Sequence, residues 1–430
     1  MADKPSEIHS VRKIGKELGQ VEQLKKALSV FGPFLRLAGV DLSKIMDPLN
    51  DLPKARREFD EFAKVLDRFN DLFAARGWVA YDWLSIEVAK TAIAEAEAGD
   101  MDQAEGMLVQ HYGADQISLQ LRTLMGLASF RPRMRLAELA LIDYREGRYH
   151  ACVPVVLALL DGMVNDLGNL GFFSEHVDLT AWDSIAACDS GINELKTLLF
   201  GPRKKTTEET VAVPYRNGIL HGRDLGYDNR MVAAKSWAAL FATADWARRI
   251  EQGKRKAPPP EPELTLSEVI ALLGHTNEAK ARLEAWKPRR LEDMPELANG
   301  PDTPEAALTE FLDAWKNKRY DVMAKRTHLF RSDLTLNARA GEVRTFYRDL
   351  QLYGFEIGST ADQAPAVTEI TVRGRGNQYG QPFDASGTFR LVNFDHHEMP
   401  VTQSDGSGYW YVTSWNPWQQ AFSGDTPLAP

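Results

Sequence analysis

Four prolines within five residues, Pro258, Pro259, Pro260 and Pro262, divide the chain. Proline lacks a backbone N–H and fixes φ, so no helix runs through them. QGKRKAPPPEPELTLSE therefore reads as an extended spacer. The apolar residues recur differently on its two sides. From about residue 11 to 250, Leu, Ala and Phe return at spacings of three and four, the helical period. After Thr303 the runs VTEITVRGRG, ASGTFRLVNF and GYWYVTSWNP alternate with period two, the period of a strand. A chain of 430 residues is long for one core. The expected architecture is multidomain: an all-α bundle followed by an α+β domain with antiparallel strands.

The boundaries follow from these changes. Residues 1–54 read as an N-terminal helical extension and 55–252 as a helical domain. Residues 253–302 read as a linker holding one helix at about 265–286, where Thr265 and Glu268 have capping-box spacing. Residues 303–425 form the α+β domain, opened by PEAALTEFLDAWKNKRYDVMAKRTHLF with Pro304 in the first turn of a helix. EFAKVLDRFNDLFAARGW is a clear amphipathic helix, with Phe59, Phe62, Leu66, Phe69 and Phe73 as its stripe and Gly77 as its stop. AGDMDQA, EGRYHA and NKRYDVMA read as helical hairpin turns. They resemble tetratricopeptide turns, but their irregular spacing argues against a solenoid. QSDGSG predicts a hairpin before the last strand.

Composition narrows the class. Cys152 and Cys188 cannot build a disulfide framework and lack metal-ligand spacing, so both read as buried apolar residues. The run Ala151–Leu160 is too short to cross a bilayer, and MADKPSEIHSVRK has no secretory apolar core. Cytoplasm is the expected location, with no membrane partner. The net charge is −9, which argues against a nucleic-acid coat. It is uneven, however. Residues 203–256 hold twelve Lys or Arg and six Asp or Glu, a local +6, against −15 for the remainder. Such an island is either an electrostatic footprint for phosphates or the solvated ends of elements.

VPYRNGILHGRDLG lies inside that island. His221 can move a proton near neutral pH, and Arg216 holds phosphate oxygens through a fork of donors. Together they suit RNA cleavage by the neighbouring 2′-hydroxyl, chemistry that needs no metal or other cofactor. Asn217 is a candidate to orient either group. Five residues on a regular helix turn roughly 140°, so Arg216 and His221 share a face only if Arg216 sits at an irregular helix start. Pro214 and Gly218 favour that start. REGRYH, Arg145 to His150, has the same arginine–histidine spacing at a hairpin turn, so the spacing alone does not single out the site. Tyr215 is either a base-stacking ring or a core side chain.

RNGILHG followed by MVAAKSWAALFATADWARR resembles the end of a HEPN domain. ARGWVAYDWLSIE, AEAGDMDQAEGMLVQHY and IDYREGRYHACVPVVLALLDGMVNDL resemble the helices that precede it in bacterial abortive-infection-type proteins. The resemblance covers roughly residues 55–250. It implies an all-α bundle, a homodimer, RNA as substrate in phage defence or stress, and Arg216, Asn217 and His221 as catalytic residues. It equally admits a non-catalytic binding or dimerisation module. The acids of LDGMVND have no assigned place.

TPEAALTEFLDAWKNKRYDVMA, with the aromatic strand-rich end, resembles the nuclear-transport-factor-like or SnoaL-like α+β cone. That implies a curved sheet around a pocket, with a small-molecule or peptide ligand or a dimerisation role. Trp410, Trp415 and Trp418 read as pocket lining or as core packing. FDHHEMP reads as a loop between strands or as a metal-binding cluster.

Overall fold

A computed structural model describes residues 2–19, 22, 52–257, 283, 285–291, 303–328, 334–378, 380–396, 399–402, 408–414 and 417–418. The prolines of the spacer, the 265–286 helix apart from Leu283, Ala285 and Trp286, residues 403–407 of QSDGSG, His397, Glu398 and Trp415 lie outside these residues. The chain forms two compact units, 1–279 and 280–430.

The first unit is helical. Residues 9–19 are helical, and α1 (Leu52–Phe73) follows. Leu66, Phe69 and Phe73 of its stripe are buried, and the chain turns at Gly77, with φ 93°. Then come α2 (Ile86–Glu97), α3 (Met101–His111), α4 (Ala114–Leu124), α5 (Met134–Arg145), α6 (Tyr149–Gly168), α7 (Glu194–Phe200), α8 (Arg216–Leu220) and α9 (Arg230–Glu251). The centre is α6, packed against α5 and α9. It extends beyond the expected apolar run. Among the described residues it is the helix long and apolar enough to cross a membrane, and in this unit Cys152, Val153, Val156, Leu157, Leu160 and Met163 spend that apolar length on the core.

Helix α9 is buried from Val232 to Ala247 on all sides, not only along the face of Trp237, Leu240, Phe241, Ala244 and Ala247. Its charged members are therefore partnered. Lys235 Nζ lies 2.7 Å from Glu105 Oε1 and donates to the Ala212 carbonyl at 2.8 Å. Asp245 accepts from Ser184 Oγ and from the Ala186 N–H, both at 3.0 Å. The unit is not wholly α: β1 (Thr207–Thr210) runs parallel to β2 (Asp224–Gly226).

The second unit is α+β. Strand β3 (Arg290–Leu291), inside the expected linker, edges a five-stranded antiparallel sheet with β4 (Leu350–Ala364), β5 (Val367–Gln378), β6 (Gln381–Phe394) and β7 (Tyr409–Val412), in that order. Helices α10 (Pro304–Lys316), α11 (Tyr320–Arg326) and α12 (Leu336–Tyr347) accompany it. Thr303 caps α10 by accepting from the Ala306 N–H at 3.2 Å, with Pro304 behind it. Trp410 and Trp418 are buried. Trp418 packs with Trp315, Phe383 and Phe389 at centroid distances of 5.3–5.5 Å. Its indole N–H donates to the Val372 carbonyl at 3.1 Å. A side chain at Gly374 would lie 2.4 Å from that indole, so β5 needs glycine there. In FDHHEMP, Asp395 and Met399 close a turn with mutual bonds of 2.9 Å. Among the described residues no three His, Cys, Asp or Glu gather to hold a metal.

Candidate active-site cleft around Arg216

The RNGILHG stretch sits between the two short strands of the first unit. Pairing of β1 with β2 closes the 211–223 segment into a loop. At the close approach of the strands, a side chain on Gly226 would lie 2.3 Å from the Glu209 carbonyl. Asn229 adds three bonds. It caps α9 through the Val232 N–H at 3.0 Å and donates to the carbonyls of Val211 and Gly226 at 2.9 and 3.2 Å. Lys235 holds Ala212 from beneath. The loop is thus tied to the buried helix at both ends.

Within the loop, α8 is a little over one turn. Its start is Tyr215, whose carbonyl accepts from Ile219 at 2.9 Å. Its end is Gly222, at φ 66°, with the Arg223 N–H returning to the Gly218 carbonyl at 2.7 Å. Gly218 is there for space. A side chain would lie 1.8 Å from Asp224 Oδ2. The Asp224 carboxylate is fully buried, with both oxygens within 3.0 Å of Arg203 Nε. The Arg203 guanidinium in turn lies 4.5 Å from the Tyr215 ring centre, so a cation, not a base, covers that ring.

Arg216 begins the turn and points at α6. It lines an open cleft of about 420 Å³ with Leu157, Ala158, Asp161, Asn165 and Leu220. The α6 members fall at i, i+1, i+4 and i+8, one face of a helix. The guanidinium carbon lies 5.4 Å from the Phe173 ring centre, and Nη1 donates to Asn217 Oδ1 at 3.2 Å. Nε is buried and has no hydrogen-bond partner among the described residues. Asn217 donates its amide to the Phe200 carbonyl at 2.9 Å, at the end of α7. It therefore links a helix terminus to Arg216 and sets the guanidinium's direction.

His221 stands at the other end of the turn. It is exposed, is not among the residues lining the cleft, and makes no side-chain hydrogen bond among the described residues. Its N–H donates to the Asn217 carbonyl at 3.2 Å. The fold thus brings Arg216 and Asn217 together and leaves His221 beside Leu220 at the surface. In REGRYH, Arg145 pairs instead with Asp115 at 3.7 Å.

Asp161 is the acid of LDGMVND that faces the cleft. Its Oδ1 accepts from the Phe173 N–H at 3.3 Å, and a side chain at Gly171 would lie 2.3 Å from the same oxygen. Asp166, the second acid, pairs elsewhere, 2.6 Å from Arg133 Nη1. A stripe of Leu157, Asp161 and Asn165 in an otherwise apolar helix is the sequence signal for this wall.

Compared with models of protein families, with curated proteins and with solved structures, the chain matches none.

Proposed function

We propose that the helical unit is a metal-independent endoribonuclease of HEPN type. One observation carries the reading: a guanidinium whose buried Nε has no partner among the described residues opens onto a cleft, about one turn away from an exposed imidazole that makes no side-chain hydrogen bond among them. Arg216 holds a non-bridging phosphate oxygen and stabilises the charge that builds on phosphorus. His221 takes the proton of the 2′-hydroxyl as its oxygen attacks phosphorus and the bond to the 5′-oxygen breaks. The departing oxygen collects a proton, leaving a 2′,3′-cyclic phosphate and a 5′-hydroxyl. Asn217 positions Arg216.

The roughly 140° between residues 216 and 221 on a helix favours a homodimer, in which His221 of one copy and Arg216 of the other share one cleft. The exposed Leu220 at the cleft mouth suits such a contact. Phage defence or stress in the cytoplasm is the setting that the resemblance implies. The second unit then serves as a nuclear-transport-factor-like or SnoaL-like domain for a small ligand, a peptide or dimerisation.

A second reading, a non-catalytic HEPN-like binding or dimerisation module, is favoured by Asp161. A carboxylate in the cleft opposes a phosphate. The test is RNA cleavage by purified protein in chelator. Arg216→Ala and His221→Ala are expected to slow it by at least about 100-fold, with folding intact by circular dichroism. Cleavage by His221→Ala at the wild-type rate, or none by any form, would leave the binding module.

A further inference from the structure

Six described helix ends in this chain close the same way. A residue at the cap or just after it turns left-handed, and the next N–H returns to the carbonyl five residues back. At five of them the left-handed residue is glycine: Gly77, Gly99, Gly147, Gly222 and Gly253. The sixth is Lys318, at φ 56°, with the Arg319 N–H 2.8 Å from the Ala314 carbonyl. A β-carbon in this conformation costs about 1 kcal/mol that glycine avoids. EGRYHA and NKRYDV are otherwise the same turn, yet lysine replaces glycine in the second.

The side chain kept at that cost has a destination. Lys318, Tyr320, Arg344, Thr345 and Arg348 line an open groove of about 720 Å³ between the α10–α11 turn and the end of α12. Neither Lys318 nor Arg344 has a carboxylate partner among the described residues, and Arg348 Nε meets Asp349 only at 3.5 Å. The groove is therefore cationic on both walls, with an aromatic ring at its side.

We propose that this groove binds a small phosphate-bearing anion. Two guanidinium forks at the end of α12 and one ammonium on the α10–α11 turn can approach phosphate oxygens from two sides, and the volume is that of a small-molecule site. The site is formed by residues of the second unit alone, and none of them lines the cleft around Arg216.

The test is calorimetric titration of the full chain with tripolyphosphate, with ATP and with a short single-stranded RNA, alongside thermal melts. Wild type is expected to bind tripolyphosphate or ATP, more weakly as salt rises. Arg344→Ala and Arg348→Ala should each lose about tenfold in affinity, one lost charge-assisted contact. Lys318→Gly should raise the melting temperature and weaken binding at once, which a merely structural lysine would not do. Tighter binding of ATP than of tripolyphosphate assigns a nucleotide, and equal binding an inorganic oligophosphate. No binding of either, variants that bind like wild type, or RNA binding that Arg344→Ala and Arg348→Ala weaken more than they weaken ATP binding would overturn the proposal.

Discussion

The Tyr227 hydroxyl donates to the His150 carbonyl at 3.0 Å, and that carbonyl is the one Pro154 leaves without a partner four residues on in α6. A proline inside a helix removes one intrahelical bond and crowds that carbonyl. Here Tyr227, the first residue beyond β2, supplies the missing donor, so the cleft-wall helix is hydrogen-bonded to the segment that closes the Arg216 loop. Tyr227→Phe should lower stability by about 1 kcal/mol, the net worth of such a bond, read from the midpoint of urea unfolding. An unchanged midpoint would mean that water replaces the hydroxyl without loss.

Gly218 and Asp224 occupy one space. A methyl group at position 218 would displace a fully buried carboxylate from Arg203. Gly218→Ala is expected to cost about 1–3 kcal/mol, the range for overpacking, and so to lower the melting temperature by several degrees. Gly222→Ala, with no atom near the added carbon, should cost only the strain of its left-handed backbone, about 1 kcal/mol. Equal losses at the two positions would contradict the packing argument.

Asp245 makes stability depend on pH. Burial raises its carboxyl from 3.8 to about 7, and the neighbouring Asp82 pushes the same way. The folded state thus holds a proton that the unfolded state releases. Stability from this group is fully present below the unfolded value and falls as pH rises through the window up to about 7, by at most about 1.4 kcal/mol per unit. Asp245→Asn keeps an acceptor for Ser184 and Ala186 and should flatten that fall. Chemical denaturation between pH 4 and 8 decides it; the same slope in both proteins would remove Asp245 as the cause.

The reach of sequence reasoning differs from element to element. The stripe of α1 and the alternation of β5 and β6 were legible because each repeats over several turns or residues, and Phe389 and Leu391 face the core as spacing requires. Strand β4 was not. Its pairing with β5 shifts register at Leu352/Gly354, Ile357/Thr360 and Asp362/Ala364, and each bulge interrupts the alternation that marks a strand. The β1–β2 ladder is too short to carry a period at all. At the candidate site, Arg216 and Asn217 are neighbours in sequence and in space, whereas Asp161 enters only through the packing of α6 on α8. Gly218 reads as a loosened turn, yet the constraint on it comes from a carboxylate six residues later.

The nature of the RNA ends formed in chelator by wild type, Arg216→Ala and His221→Ala tests the central claim most directly. Attack by the neighbouring hydroxyl leaves 2′,3′-cyclic phosphate and 5′-hydroxyl ends, present with wild type and nearly lost in both variants. Ends bearing 5′-phosphate, or cleavage that survives either substitution, would contradict it.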